Sequence, residues 1–398
     1  MVAFMNRSID LLEGLAHESN NIFQMNRRGY VFLTADPTQV NLYQETSKQI
    51  ALLGTGQLRL HFGNPEDPLL TKSPVEGFQG VPDGADLVFD PELIHSQFPF
   101  ITNQAIGMLH TRRCGWLSAQ QLGTYLLKKA QSCGARLLRG KVIGVKTSND
   151  KLTSVIVDRE GLPVEIAARN LVIATGPHLK ETGALVGIDL PVYNELHGKV
   201  AINDPLKVIP RDAPLMVWSD PVCLSWSEGE IKELASDPKT CWLTEQLPAG
   251  VHFRPEGGKD SPVILMLWTY NLQPKEPTFP LNFDPFYPEV VLRGLVTMLP
   301  GMAVYLERIP KPYVDGGYYC KTQENRPLIG PTPVQGVYVY GALSGFGIMG
   351  AMAGGELLAA HLTDGSLPHY APAFLLNRYQ DPKYQALLAG WDVTSGQL

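Results

Sequence analysis

The chain has 398 residues, of which 44% are hydrophobic and 18% charged, with a formal net charge of -6. This supplies a sizeable core, at roughly 150 residues per domain implies two to three domains, and excludes a disordered chain. No block of five like charges occurs, so the clustered cations that a phosphate backbone needs are absent and nucleic acid is not an expected partner.

Residues 3–18 read as a helix, with Phe4, Ile9, Leu11, Leu12 and Leu15 on a broad apolar face. Arg7, Asp10, Glu13 and Glu18 interrupt any signal-like stretch, and the expected compartment is cytoplasmic. Residues 29–34 form a β-rich run, and 38–53 return to a helical pattern. Residues 61–104 are rich in Pro, Gly and Asp, which predicts short elements in long loops. Ser118 and Gln121 have capping-box spacing before a helix that Gly134 stops. Strands follow at 136–147, 152–158 and 164–168. The run Leu171 to Ala174 is apolar throughout, as a strand buried on both faces reads.

Residues 191–315 change character. They hold Trp218, Trp226, Trp242 and Trp268, with dense prolines, a strand at 263–268 and a helix at 288–299. This region reads as a second, largely β, unit inserted into the first. Residues 336–340 predict a strand, 341–347 a glycine-rich loop and 348–362 a helix, followed by a tail with a short last helix. The stretch Pro327 to Gly355 lacks charge, but its glycines and prolines fit a strand, loop and helix rather than a membrane span.

The five cysteines, at 114, 133, 223, 241 and 320, form no C-x-x-C pair, and no H-E-x-x-H occurs. Neither a metal site nor a disulfide framework is expected. Gly345-Phe-Gly347-Ile-Met-Gly350 is literally G-x-G-x-x-G, but no second strand ending in an acidic residue follows, so it lacks the context of a dinucleotide fingerprint. A glycine turn at a helix N-terminus nonetheless presents backbone N–H groups to an anion. The same glycines also serve as a plain packing turn.

Six segments together resemble the FAD-dependent oxidoreductase superfamily of D-amino-acid oxidase, glycine oxidase and sarcosine oxidase. They are Arg27-Arg-Gly-Tyr-Val-Phe-Leu33, Gly115-Trp-Leu-Ser-Ala-Gln-Gln-Leu122, Gly134-Ala-Arg136 with Gly140-Lys-Val142, Leu171-Val-Ile-Ala-Thr-Gly176, Thr322-Gln-Glu-Asn-Arg-Pro-Leu-Ile-Gly330 and Gly336-Val-Tyr-Val-Tyr-Gly-Ala-Leu-Ser-Gly-Phe-Gly347. The resemblance implies an α/β (α+β) fold with a glutathione-reductase-type FAD-binding domain and an inserted mixed β-sheet substrate domain. The FAD-binding domain would comprise 1–22, 105–190 and 316–398, and the substrate domain 23–104 and 191–315. Relatives open with a strand, a glycine turn, a helix and a second strand that hold the ADP part of FAD. This chain starts at what resembles the following helix, so the expectation is an N-terminally incomplete domain lacking roughly 50 to 60 residues, the size of a βαβ unit, with weak retention of FAD.

The same resemblance implies flavin-dependent dehydrogenation of a C–N bond in an amine or amino acid, with hydride passing to flavin N5. Two alternatives stand beside it: a non-catalytic paralogue that no longer binds FAD, and a flavin enzyme acting on a non-amine. Carried over by position, Val142, Thr175, Gly176, Pro177, Leu343, Ser344, Gly345, Phe346, Gly347 and Ile348 would meet the cofactor. On the substrate side the candidates are Tyr318, Tyr319, Trp268 and His197, with Cys320 a possible covalent tether. The cationic anchors of relatives fall on Tyr319 and Met349 here, which leaves Arg28, Arg112, Arg113 and Arg326 as candidate partners for a substrate carboxylate. The expected partner is a small-molecule substrate, with no membrane and an undetermined oligomeric state.

Overall fold

A computed structural model describes residues 1–391. Its largest element is a nine-stranded sheet built from β1 (Tyr30–Thr34), β2 (Leu58–His61), β3 (Ala85–Val88), β4 (Gly107–Thr111), β9 (Tyr193–Asn203), β10 (Leu215–Trp218), β13 (His252–Pro255), β14 (Val263–Leu267) and β15 (Tyr313–Lys321). Their spatial order is β15-β9-β14-β13-β10-β1-β4-β3-β2. A three-stranded sheet, order β16-β17-β8, joins β8 (Leu171–Ile173), β16 (Leu328–Pro331) and β17 (Val337–Gly341). A separate antiparallel sheet holds β5 (Lys141–Ser148), β6 (Lys151–Arg159) and β7 (Leu162–Ala167), and β11 (Val222–Cys223) pairs with β12 (Gln246–Leu247).

The helices are α1 (Val2–Glu18), α2 (Pro37–Ile50), α3 (Pro91–Gln97), α4 (Ala119–Ser132), α5 (Leu179–Ala184), α6 (Glu228–Ser236), α7 (Tyr287–Met298), α8 (Gly347–Leu362) and α9 (Pro382–Ala389). Three of them start on the same dipeptide. In Asp36-Pro37, Asp90-Pro91 and Asp381-Pro382 the carboxylate accepts from the backbone N–H two residues on, at 2.8, 3.0 and 2.9 Å. Proline, with no N–H to satisfy, takes the first helical position. Ser118 caps α4 through Gln121 N at 3.4 Å, and Gly134 follows at φ +94, a left-handed stop.

Period-two alternation divides the large sheet. Val31 and Leu33, Val200 and Ile202, Phe253, and Ile264 and Met266 face one side and bury against Val290, Val291, Leu295 and Met298 of α7. Gly294 is the point of closest approach: a Cβ there would lie 2.3 Å from the Trp268 ring, so only glycine lets α7 sit on the indole. A second core gathers Ile173, Leu179, Leu190, Cys320, Leu328, Val337 and Val339 around the three-stranded sheet.

Several expectations shift in detail. The strand expected from residue 136 begins at Lys141, because 136–140 find no strand to pair with. The loops at 61–104 contain β3 and α3. The expected domain boundary at 105 precedes β4, and that at 316 falls inside β15; both strands pair in the large sheet. We place the passages after those strands, since ladder hydrogen bonds, invisible to periodicity, fix which sheet owns a segment. All five cysteines are free. No helix among the described residues is long and apolar enough to cross a membrane.

Asp86 ties down the far edge of the large sheet. It is 1% exposed and accepts from Arg59 Nε at 2.7 Å and Nη2 at 3.0 Å, from His61 Nε2 at 2.9 Å, and from Arg112 Nε. Burial alone would raise this carboxyl, but the bonds from Arg59, Arg112 and His61 outweigh it and hold it down at about 2. A depressed folded value means stability that is present above the unfolded aspartate range and lost as pH falls through the folded one. We expect Asp86→Asn to lose about 2 kcal/mol at neutral pH. In urea titrations the gap from wild type should close as pH is lowered from about 4 towards 2; a pH-independent gap would argue against the ionic origin.

Candidate functional site

The large sheet's second face, opposite α7, is polar where β9 and β15 meet. On β9, Glu195, His197 and Lys199 point this way, while Val200 and Ile202 enter the core. Across the ladder Tyr319 pairs with Glu195, and Gly317 with His197. The absence of a side chain at Gly317 leaves room for the His197 ring to stack on Tyr319, with centroids 3.8 Å apart and planes 16° from parallel.

Beneath this stack runs a hydrogen-bonded row. Thr269 Oγ1 lies 2.8 Å from His197 Nδ1, His197 Nε2 lies 3.2 Å from Glu195 Oε2, and Lys321 Nζ donates to both Glu195 oxygens at 3.0 Å. A carboxylate is acceptor-only, so His197 turns its Nε2–H to Glu195 and its Nδ1 to the Thr269 hydroxyl. Lys321 is 1% exposed. Burial alone would raise the Glu195 carboxyl, but bonds from His197 and Lys321 hold it below the ordinary glutamate range. Burial also raises the Tyr319 phenol, keeping it a neutral hydrogen-bonding group.

Two turns lie beside this row. β8 and β17 are parallel neighbours, so the turns after them emerge at one edge, the crevice outside the carboxyl ends of strands where α/β sheets take ligands. The first turn is Thr175-Gly176-Pro177, with Gly176 at φ +56 and Pro177 O accepting from Asn194 Nδ2 of β9 at 3.0 Å. The second is Leu343 to Ile348. It contains Ser344 in the left-handed region at φ +51, after Ala342 at φ +53, a conformation that non-glycine residues adopt rarely and that gathers at ligand-binding turns. Ser344 Oγ bonds Asn325 Oδ1 at 3.1 Å. A Cβ at Gly345 would lie 2.9 Å from the Tyr319 ring, so this loop touches the His197–Tyr319 stack directly.

The loop fits the ring end of an FAD. Its sixteen-residue helix α8 starts at Gly347 with no side-chain cap, leaving first-turn N–H groups free for an acceptor. A Cβ at Gly347 would meet no atom within 4 Å, and Ile348 is 43% exposed. Val142 stands apart from these turns, on β5 of the separate antiparallel sheet and 36% exposed. β8 pairs with β17 alone among the described strands.

The four substrate-side candidates separate. Tyr319 and His197 share the polar face. Tyr318, the next residue along β15, points to the opposite face, where its hydroxyl accepts from Thr278 N at 3.0 Å. Trp268 is also on that face, 1% exposed under α7, its Nε1 donating to Pro248 O at 3.1 Å. It borders a cavity of about 410 Å³ with Trp242, Tyr270 and Tyr287, behind the sheet from His197. Cys320 is buried in the second core, and burial pushes its thiol up to about 11, the state of an unreactive packing residue.

The four candidate arginines are engaged elsewhere. Arg28 donates to the carbonyls of Val75 and Arg211 at 2.7 Å each. Arg112 holds Asp86 and Thr71 O, and Arg113 holds Asp10 and Glu13. Arg326 lies over the Trp391 ring, 5.8 Å from its centroid. The sequence reading missed Glu195, Thr269 and Lys321. The available signal was charge at every second position of a strand, Glu195, His197 and Lys199, together with a lysine just before the Thr322 motif.

Known proteins share the family and the fold. The DAO family, described as FAD dependent oxidoreductase, matches residues 1–361. A D-amino-acid oxidase of Bradyrhizobium diazoefficiens is 31% identical over 119 residues, a match spanning 28% of this chain and 27% of that protein. The fold is similar to that of L-proline dehydrogenase from P. horikoshii, with a TM-score of 0.68 and 19% identity over 95% of this chain and 82% of that one. It is similar also to glycine oxidase from Bacillus cereus, with a TM-score of 0.66 and 14% identity over 94% and 83%, and to iminodiacetate oxidase from Chelativorans, with a TM-score of 0.65 and 13% identity over 93% and 82%.

The Glu195–Lys321 pair gives a direct test of how the site is held. Lys321→Met leaves a buried carboxylate unpaired and should lower stability by about 3 to 5 kcal/mol. Adding Glu195→Gln should restore much of that loss, since the uncompensated charge is gone. Strict additivity of the two changes in chemical denaturation would show that the pair is not coupled.

Proposed function

The chain belongs to the DAO family of FAD-dependent oxidoreductases, and from that premise we propose that it dehydrogenates a C–N single bond of an amine or amino acid to an imine, which water then hydrolyses. When bound, FAD supplies the two-electron acceptor for this reaction. The observation that carries the reading is the contact of the Gly345 loop with Tyr319: the turn that fits a flavin ring and the phenol that faces a substrate touch each other.

The residues take distinct parts. Leu343 to Ile348 and the α8 N-terminus hold the ring end of the cofactor, and Thr175, Gly176 and Pro177 form the neighbouring wall. Tyr319 offers a hydroxyl to the substrate from a ring whose other face is fixed by His197. Thr269, Glu195 and Lys321 fix His197 in turn, so the phenol is preoriented before a substrate arrives. The row carries one buried negative and one buried positive charge, which keeps the platform electrically balanced. The chain's task is alignment of the substrate carbon, the redox chemistry being what FAD would supply when bound. The names of the similar enzymes, D-amino-acid oxidase, L-proline dehydrogenase and glycine oxidase, support the amine class without selecting a member of it.

The experiment is anaerobic mixing of the FAD-loaded protein with a panel of primary and secondary amines and amino acids, read as bleaching of the oxidised flavin band. Bleaching by a non-amine alcohol or hydroxy acid, and by no amine, would overturn the amine reading. A companion variant tests the loop. Gly347→Val should stay folded, because a Cβ there meets nothing in the chain, yet lose FAD by about tenfold or more in Kd, since the side chain fills the space before the helix N-terminus. Unchanged FAD affinity would reduce the loop to a packing turn.

A further inference from the structure

The turn between β15 and β16 is held from the far end of the chain. Glu324 is 2% exposed, and its Oε1 collects donors from the C-terminal segment. Arg378 donates to it from Nε at 3.1 Å and from Nη2 at 2.8 Å, and the hydroxyls of Tyr379 and Tyr384 each donate at 2.8 Å. Arg378, also buried, donates further to Arg326 O at 3.1 Å and to Pro327 O at 3.0 Å. One planar guanidinium thus grips the turn at a side chain and two carbonyls, which a point-charge ammonium does not match. Gln323 Nε2 adds a bond to Leu388 O, at the end of α9, at 3.0 Å. Burial alone would raise the Glu324 carboxyl, but the bonds from Arg378 and Tyr379 outweigh it and hold it below the ordinary glutamate range.

The same turn reaches the loop before α8. Thr322 closes it, donating to Arg326 O at 2.8 Å and accepting from Arg326 N at 3.0 Å. Within it Asn325 sits at φ +55, and its Oδ1 accepts from Ser344 Oγ at 3.1 Å. Ser344 is itself left-handed, at φ +51. Such residues, glycine apart, persist where surrounding contacts over-determine them. Here they are bonded to each other, and the grip of Arg378 fixes the turn that carries Asn325. On its other side the turn continues β15, with Tyr319 and Lys321 of the polar face. It therefore joins both halves of the site.

We propose that Glu324 and Arg378 are positioning residues for the loop from Leu343 to Ile348. The C-terminal segment Leu376–Gln380 and α9 clasp the Thr322–Arg326 turn, and the Asn325–Ser344 bond passes that hold to the loop. The clasp is read from these bonds alone; its consequence for FAD rests on the reading of the loop as the flavin's seat. Both residues act through the turn rather than on a ligand. A loop held in one conformation takes its ligand without first being ordered. Loosening it lowers the competent fraction and raises the apparent Kd in proportion.

Hydrogen–deuterium exchange in the full chain without flavin tests the clasp, for wild type, Arg378→Met, Arg378→Lys, Ser344→Ala and the Arg378→Met/Ser344→Ala double variant. The Phe346 amide, bonded to Leu343 O at 3.0 Å, reports on the loop, and the amides of α7 report on the core away from it. Arg378→Met and Ser344→Ala should each speed exchange at Phe346 about tenfold, with α7 unchanged. The double variant should exchange no faster than the faster single one, because both changes break the same link. Arg378→Lys, which keeps the charge and loses the fork, should give about threefold, and it serves where the methionine variant does not fold. Equal acceleration in α7, additive effects of the two changes, or an unchanged Phe346 amide in a folded variant overturns the clasp. FAD titration, followed by quenching of flavin fluorescence, then tests the consequence: Arg378→Met should weaken FAD about tenfold. Faster exchange at Phe346 with unchanged FAD affinity leaves the clasp standing and sinks the loop's assignment to flavin.

Discussion

The alternation of side chains along β9 is the constraint on which the rest depends. Every second residue must satisfy the apolar layer under α7, so the residues between them are free to be polar. Val200 and Ile202 take the first role, and Glu195 and His197 the second. A slip of β9 by one residue against β15 would turn Glu195 towards α7 and Val200 to the polar face, while Lys321 stayed where it is. Burying those charges without each other is strongly unfavourable. The ion pair thus fixes the register as well as the His197 ring.

The turn from Leu343 to Ile348 follows a different logic. There the backbone carries the work: a left-handed Ser344, a glycine at each end of the turn that touches Tyr319 or opens before α8, and an uncapped helix start. Such a site is specified by conformational permission rather than by charged side chains, and it gives few sequence landmarks beyond glycine. The polar face is the reverse, rich in titratable groups but scattered over β9, β13, β14 and β15.

That contrast explains what was legible. The strands at 171–173 and 337–341, the glycine loop and the helix α8 follow from local signals, apolar runs, turn residues and a 3.6-residue pattern, while the α/β class is what the family resemblance of six segments implies. Tyr319 and His197 were named from sequence and do meet. Tyr318 and Trp268 were named beside them and fall on the other face, because a strand's facing depends on register with partners about 120 residues away in the chain. For the same reason Arg28, Arg112 and Arg113 resembled free cations in sequence, while their acceptors, Asp86 on β3, Asp10 and Glu13 on α1 and two loop carbonyls, lie far along the chain.

β15 belongs to both layers at once. Its Val314 packs on the core beneath α7, its Cys320 lies in the core of the three-stranded sheet, and its nine-residue ladder with β9 runs without interruption between the two. A hinge needs a short segment free to change φ and ψ, and this strand offers none. Opening the crevice by swinging one layer from the other would unzip the ladder and expose the Glu195–Lys321 pair. The irregular segment at 271–286 lies on the α7 side of this frame, where Phe279 meets His178 and Tyr318. In this architecture the crevice keeps its width because one strand is common to both layers.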